Sequence, residues 1–234
     1  MEIVNCDAIK YIDCFADNTF DCVILDPDYN NWDELIECGL LDKVIRVTKE
    51  TGNILTFTKQ PFDFNLRVAV DEYFRREIVW TFENGGAWCS KKMPLISTQK
   101  IYWLTKSKDF FFNPRTGIPY SPNTKDFKRS TKVFGNYISE GRDFRKDEGG
   151  TWLRDHLHYN KPRCGKIPAK PKELIEILLR CFCPDGGVVL DPFAGSGVVS
   201  LIGDQLGMDV YSSEIDGDRV NAILDKHFEL VGER

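Results

Sequence analysis

A chain of 234 residues, 42% hydrophobic and 29% charged, can bury a sizeable core and is most simply one domain carrying an insertion. Its apolar runs are shorter than the roughly 20 residues needed to cross a bilayer, which excludes a membrane-spanning helical protein. The net charge of −5 excludes a uniformly basic polyanion binder, and the Met1–Asn5 start lacks a basic-then-apolar leader, so a cytoplasmic protein is expected.

Strand and helix patterns alternate from the start. Ile3–Cys6 and Cys22–Leu25 are short β-prone runs, each followed by an aspartate, Asp7 and Asp26. Leu35, Ile36, Leu40, Val44 and Ile45 form a helical stripe, which Gly52 is expected to end. Asn53–Thr58 reads as a strand, 61–74 as a helix, and Glu77–Phe82 and Lys100–Thr105 as two further strands. Periodicity then lapses until Pro168. Beyond it, Leu174, Ile177, Leu178 and Cys181 share one helix face, Val188–Leu190 and Val210–Ser213 read as buried strands, and Gly195–Leu206 as a helix stopped by Gly207. Val220, Ile223, Leu224 and Val231 stripe a last helix. Strands separated by helices imply a doubly wound α/β fold, its sheet mostly parallel and covered on both faces.

The unpatterned stretch is long enough to be either functional or a small fold of its own. It also breaks the charge average. Residues 100–170 carry sixteen Lys or Arg against seven Asp or Glu, whereas the rest carries fifteen against twenty-nine. Phe110, Phe111, Phe112, Tyr120, Phe127, Phe134, Tyr137, Phe144, Trp152 and Tyr159 interleave with those cations, a mixture suited to phosphate neutralisation and base stacking. Of the eight cysteines none forms a C-x-x-C pair, and His156 and His158 lack companions, so no metal site is expected and the thiols read as reduced, buried packing.

Two motifs carry the chemistry. In Phe193-Ala194-Gly195-Ser196-Gly197, a strand meets a helix through glycines that let the backbone approach a ligand, with helix N–H groups free for a carboxylate. Glu214, 19 residues after Gly195 at the end of the next strand, stands where doubly wound sheets place the acid that binds ribose hydroxyls. A dinucleotide site would want the fuller G-x-G-x-x-G, but position 200 is Ser. The second motif is Asp26-Pro27-Asp28-Tyr29. The Asp26 carboxylate and Pro27 carbonyl can accept hydrogen bonds from a flat exocyclic amine and free its lone pair, while Tyr29 offers a planar face.

In this order, with Asn5-Cys6-Asp7, Ile167-Pro168-Ala169-Lys170-Pro171 and Glu214-Ile215-Asp216 around them, the motifs resemble the β group of amino-methylating DNA methyltransferases. The resemblance spans nearly the whole chain. It implies a seven-stranded methyltransferase sheet with circularly permuted motif order: 1–105 and 166–234 as two halves of one domain, 106–165 as a target-recognition insertion. It further implies S-adenosylmethionine as cofactor, held by Asp7, Asp26, Lys170, Phe193, Gly195, Ser196, Gly197 and Glu214. Asp26, Pro27 and Tyr29 would be catalytic on a base flipped from double-stranded DNA. An aspartate heading the motif favours adenine N6, with cytosine N4 or RNA adenine as alternatives. Base edges would be read from among Arg115, Arg129, Arg142, Arg145 and Arg154. A homodimer and a cognate restriction endonuclease are further expectations. Two departures stand out: Asp28 replaces a second proline, and Ile167 stands where the family often has histidine. An inactive DNA-binding module, with Asp28 as a mark of decay, is the rival of another class.

Overall fold

The computed structural model describes residues 1–83, 94–116, 151–162 and 168–232. In chain order the elements are β1 (Glu2–Asn5), α1 (Ala8–Asp13), β2 (Phe20–Leu25), α2 (Trp32–Glu37), α3 (Leu40–Val47), β3 (Thr48–Thr58), α4 (Asp63–Ala69), β4 (Phe74–Thr81), β5 (Thr98–Leu104), β6 (His156–His158), α5 (Lys172–Phe182), β7 (Val188–Asp191), α6 (Val198–Gln205), β8 (Asp209–Glu214) and α7 (Gly217–Gly232). One sheet runs β1-β8-β7-β2-β3-β5-β4-β6. Within it β5 lies antiparallel to both of its neighbours, and every other pairing is parallel.

The doubly wound, mostly parallel sheet matches the expectation, with one strand more than seven. The extra strand is β6, which extends the β4 edge through Val79↔His156, Trp80↔Leu157 and Thr81↔His158. Three residues are too few to leave a periodic trace in sequence. The histidines of β6 turn to the same hydroxyl: His156 Nε2 lies 3.2 Å and His158 Nδ1 3.0 Å from Thr81 Oγ1. Among the described residues no three potential ligands converge as a metal site, and no helix is long and apolar enough to span a membrane.

Three expectations are corrected. The helix expected over 61–74 is only Asp63–Ala69, and Phe74 already opens β4. Gly52 does not end a helix but lies inside β3, where the pairing with β2 slips between Phe20 and Cys22. A Cβ there would stand 2.8 Å from Thr48 Cγ2 and 3.0 Å from Phe20 O, so close passage of two backbones requires the glycine. The single stripe through Leu35 and Val44 is two helices, because Gly39 at φ +77° breaks it in a left-handed turn.

The central strand β2 is buried apart from Asp21, which ties its neighbours: Val188 N (2.9 Å) and Lys49 Nζ (2.8 Å) both donate to Asp21 Oδ2. Asn53 is a second fastening. Its amide donates to Phe111 O and Phe182 O, each at 2.8 Å, and its oxygen accepts from Trp103 Nε1 at 2.7 Å. Phe110 and Phe112 pack on Trp103 with ring centroids 5.0 and 5.3 Å away, and Phe111 N donates to Thr51 O. Phe110 and Tyr159 pack against the core rather than standing ready for bases, while Phe112 stacks on Trp103 and stays partly exposed. Large apolar rings beside an open sheet face gain more from burial than from water. Substituting Asn53 with Ala strands three buried partners at once. The expected cost is about 3 kcal/mol, read as a fall of roughly 6–12 °C in Tm.

Candidate active site

The chain leaves β2 toward β3 on one side and β7 toward β8 on the other. An open α/β sheet forms its crevice at the carboxyl ends of strands that diverge in this way. The same tripeptide closes both strands: Leu25-Asp26-Pro27 after β2, Leu190-Asp191-Pro192 after β7, with Val23 opposite Leu190 in register. Between them lies a cleft of about 430 Å³, within the range of small-molecule sites. Asp26, Pro27, Asp28, Tyr29, Lys170, Phe193, Gly195 and Ser196 line it, together with Phe57, Lys59, Gln99 and Asp191.

Asp26 is the hub. Tyr29 donates its hydroxyl to Asp26 Oδ1 at 3.0 Å, and the Lys170 ammonium pairs with Asp26 Oδ2. Each carboxylate oxygen keeps a lone pair for another donor. Burial first, then the Asp26 charge, pushes the Tyr29 phenol far above its ordinary pKa, so the hydroxyl remains a donor. Lys170 Nζ also sits 4.8 Å from the Phe57 ring centroid, and Lys59 Nζ 5.5 Å from that of Tyr29. Lys161 packs its ammonium 3.9 Å over Phe82, and its pKa is lowered by burial and by the charges of Lys170 and Lys59.

On the glycine side, Gly195 (φ +53°) and Gly197 (φ +76°) are both left-handed. A Cβ on Gly195 would meet nothing nearer than Phe193 O at 3.7 Å, so its open side belongs to the cleft. A Cβ on Gly197 would stand 2.6 Å from the Ile223 side chain, so this buried glycine serves the packing of α7 behind the turn. Glu214 fixes the turn from β8: Gly195 N donates to Oε2 at 2.8 Å and Asp216 N to Oε1 at 3.0 Å. Asp7 follows β1, the neighbour of β8, and caps α1 through Lys10 N at 3.1 Å. Ile167 lies outside the described residues, as do Arg129, Arg142 and Arg145.

Asp28 does not loosen the loop. Its Oδ1 accepts from Asn30 N (3.1 Å) and Asn30 Nδ2 (2.8 Å), capping the 3₁₀ turn Tyr29–Asn31 that carries the tyrosine. Its φ of −62° is the value a proline ring would impose. Ring and side-chain cap are thus two ways to hold one conformation. Lys59 and Gln99 carried no motif, since each reaches the cleft through strand pairing. Asp191 stood in a recognised motif without an assigned task. Fully buried, it is pushed up to about 8, chiefly by burial; the Phe193 N–H opposes the shift, and the charges of Asp26 and Glu214 add to it.

Two outcomes follow from these environments. An acid whose folded pKa is raised keeps its proton while the unfolded chain releases it near pH 4, so its contribution to stability falls as pH rises from 4 to 8. Wild-type Tm should therefore decline between pH 5 and 8 relative to Asp191→Asn, with a constant difference above pH 8, in paired thermal melts. Asp28→Ala should cost about 1 kcal/mol and lower kcat, whereas Asp28→Pro should restore both Tm and kcat.

Comparison with known proteins agrees with this geometry. A family model described as DNA methylase matches residues 20–225. Type II methyltransferase M1.MboII of Moraxella bovis is 23% identical over 93% of this chain and 92% of its own. DNA adenine methyltransferase YhdJ of Escherichia coli (strain K12) is 23% identical over 93% of this chain and 79% of its own. Among solved structures, the M1.HpyAVI–SAM complex superposes with a TM-score of 0.69 at 18% identity, covering 97% of this chain and 98% of that one. The cytosine-N4-specific PvuII DNA methyltransferase gives 0.68 at 15% identity, covering 95% and 84%. These last two likenesses are of fold. The family match, which takes in both motifs, makes this chain a member of the N6/N4 DNA methylase family.

Proposed function

We propose that this chain transfers a methyl group from S-adenosylmethionine to the N6 amino group of adenine in double-stranded DNA, acting on a base turned out of the helix. The single observation that carries the reading is Asp26, held by Tyr29 and Lys170 in the same cleft as the Gly195 turn.

The cleft's donors and acceptors fit the cofactor piece by piece. Lys170 and the N-terminus of α6, which no side chain caps, suit the methionine carboxylate. Glu214, fixed by two backbone N–H groups, and Asp7, which follows β1 two strands from β7, stand outside the cleft's lining, at the carboxyl ends of neighbouring parallel strands; we assign them to the ribose hydroxyls and the adenine end. The open side of Gly195 leaves room for close approach. When bound, the cofactor supplies an electrophilic methyl carbon on a sulfonium.

The chain's own work is to prepare the amine. An adenine amino nitrogen is a weak nucleophile because its lone pair is delocalised into the ring. Accepting its hydrogens at Asp26 and at the Pro27 carbonyl favours a pyramidal nitrogen whose lone pair can point along the line of attack. Lys170 and the Tyr29 hydroxyl keep Asp26 in place during this, and the Tyr29 ring and Phe57 bound the base and exclude water. The nitrogen would give up one proton on taking the methyl group, whose bond to sulfur breaks to leave a neutral thioether, and Asp26, one of the two acceptors on the amine, would steer that proton.

Adenine is favoured because an aspartate heads the motif and because YhdJ, named an adenine enzyme, aligns along most of the chain. The likeness to the cytosine-N4-specific PvuII enzyme supports a second reading, transfer to cytosine N4. We place target reading in 106–165, from its excess of cations. There Arg115 stacks on Trp152 at 4.3 Å, and Arg154 is exposed two residues on. A cytoplasmic setting, a homodimer and a cognate restriction endonuclease remain part of the proposal. The last of these is supported by relatives named type II methyltransferases.

Labelled methyl transfer to mixed genomic DNA, followed by nucleoside mass spectrometry, tests the reading. N6-methyladenine is expected, N4-methylcytosine would move the assignment to the second reading, and no transfer would overturn both. Asp26→Ala should lower kcat by roughly 10³-fold while calorimetric affinity for S-adenosylmethionine stays near wild type.

A further inference from the structure

Gln99 reaches the cleft for a topological reason. Strand β5 runs against β3, with Lys100 opposite Thr58, so its first residues stand level with the carboxyl end of β3, where the cleft opens. Of the charged groups around it, Asp26 and Asp28 as carboxylates only accept, and Lys59, Lys170 and Arg219 only donate. Among the described lining residues Gln99 is the only primary amide, with a donor and an acceptor on neighbouring atoms in one plane.

Its contact with Tyr29 fixes which end is which. The Tyr29 oxygen lies 3.0 Å from Asp26 Oδ1 and 3.4 Å from the Gln99 amide oxygen. One phenol proton cannot serve both well, and the carboxylate, charged and nearer, takes it. The phenol oxygen then presents lone pairs to Gln99, and two facing oxygens without a shared proton repel. Turning the amide end for end, a change between atoms of nearly equal size, puts Nε2 against Tyr29 as a donor. All three groups are then satisfied in one chain: Gln99 Nε2–H to Tyr29 oxygen, Tyr29 O–H to Asp26. This uses the Nε2 hydrogen that points away from Oε1. The other hydrogen and Oε1 are left side by side, an adjacent donor and acceptor of fixed order.

We infer that Gln99 is the base-reading residue of this cleft, selecting amino bases over keto bases; this rests on the methyl-transfer reading above. Adenine presents an amine hydrogen beside the N1 lone pair, and cytosine the same pair at N4 and N3. Oε1 accepts the amine hydrogen on the ring-nitrogen side, sharing it as a bifurcated bond with one of the two catalytic acceptors, and Nε2 donates to the ring nitrogen. Guanine and thymine present the reverse order, an oxygen beside an N–H, and meet like against like. An unanchored amide could rotate to suit either. The Asp26 charge orients the Tyr29 proton, Tyr29 orients the amide, and the amide can then refuse keto bases.

The test uses a duplex bearing the chain's own methylation site, located by modified-base sequencing, in two forms: natural adenine or 1-deazaadenine, which keeps the amine but lacks the N1 acceptor. Gln99→Met preserves length and removes both hydrogen bonds. On natural DNA it should lower kcat/KM by roughly 10- to 100-fold. On 1-deazaadenine DNA, where the ring-nitrogen contact is already lost, its effect should be markedly smaller. Tm and S-adenosylmethionine affinity should match wild type. Equal losses on both duplexes, or no loss on either, would overturn the role while leaving methyl transfer intact. If wild type methylates cytosine instead, the N6 assignment fails alone, and 3-deazacytosine takes the place of 1-deazaadenine with the same two outcomes. A wild-type chain that methylates no DNA overturns the activity and the base-reading role together.

Discussion

Two acids at the ends of adjacent parallel strands govern this molecule. Asp26 and Asp191 close β2 and β7 in the same tripeptide, and a sheet that brings those strands together brings two carboxyl groups to one crevice. Two such groups cannot both remain ionised, close and dry without opposing charge. The fold separates their fates. Asp26 stays partly open to the cleft, in contact with an ammonium and a phenol. Asp191 borders the cleft but is almost wholly buried, and burial favours its proton. The surrounding lysines, the tyrosine and the glutamine gather around the Asp26 carboxyl group.

That arrangement has to be stiff, since an acceptor misplaced by an ångström no longer shapes an amine. Stiffness comes from polar fastenings under the strands. Asp21 clamps the starts of β3 and β7 to β2, and Asn53 joins β3 to β5, to the end of α5 and to the segment through Phe111. Every functional side chain named here except Lys170 sits within a few residues of a strand end, so its position follows from the sheet rather than from a long loop. Lys170 arrives from outside the sheet and is drawn in by the Asp26 charge and the Phe57 ring.

The basic, aromatic stretch after β5 serves two ends. Its first aromatics complete the core over Trp103, and His156–His158 closes the sheet edge, so the segment begins and ends as framework. Ring content alone could not divide packing from recognition, because burial against a sheet and stacking on a base make the same demand for a flat apolar surface. The side chain at Asp28 teaches a related lesson. A change that removes a proline looks like decay in a motif, yet here a carboxylate cap holds the same φ.

The residues alone determined the alternation of strands and helices, the two motif-bearing turns and the chemistry each turn can offer, because these depend on periods of two and 3.6 and on side-chain types at fixed local spacing. Gly39 and Gly52 escaped that reading, since a glycine's role as helix break or close-passing strand residue depends on the backbone beside it. The tertiary structure alone decided that Lys170 meets Asp26 across 144 residues, that Gln99 touches Tyr29 across 70, and that one of two identical Leu-Asp-Pro turns is open while the other is buried. Those facts depend on which strands are neighbours and which way each one runs. No local pattern encodes that order: it is set when the whole sheet closes over its core.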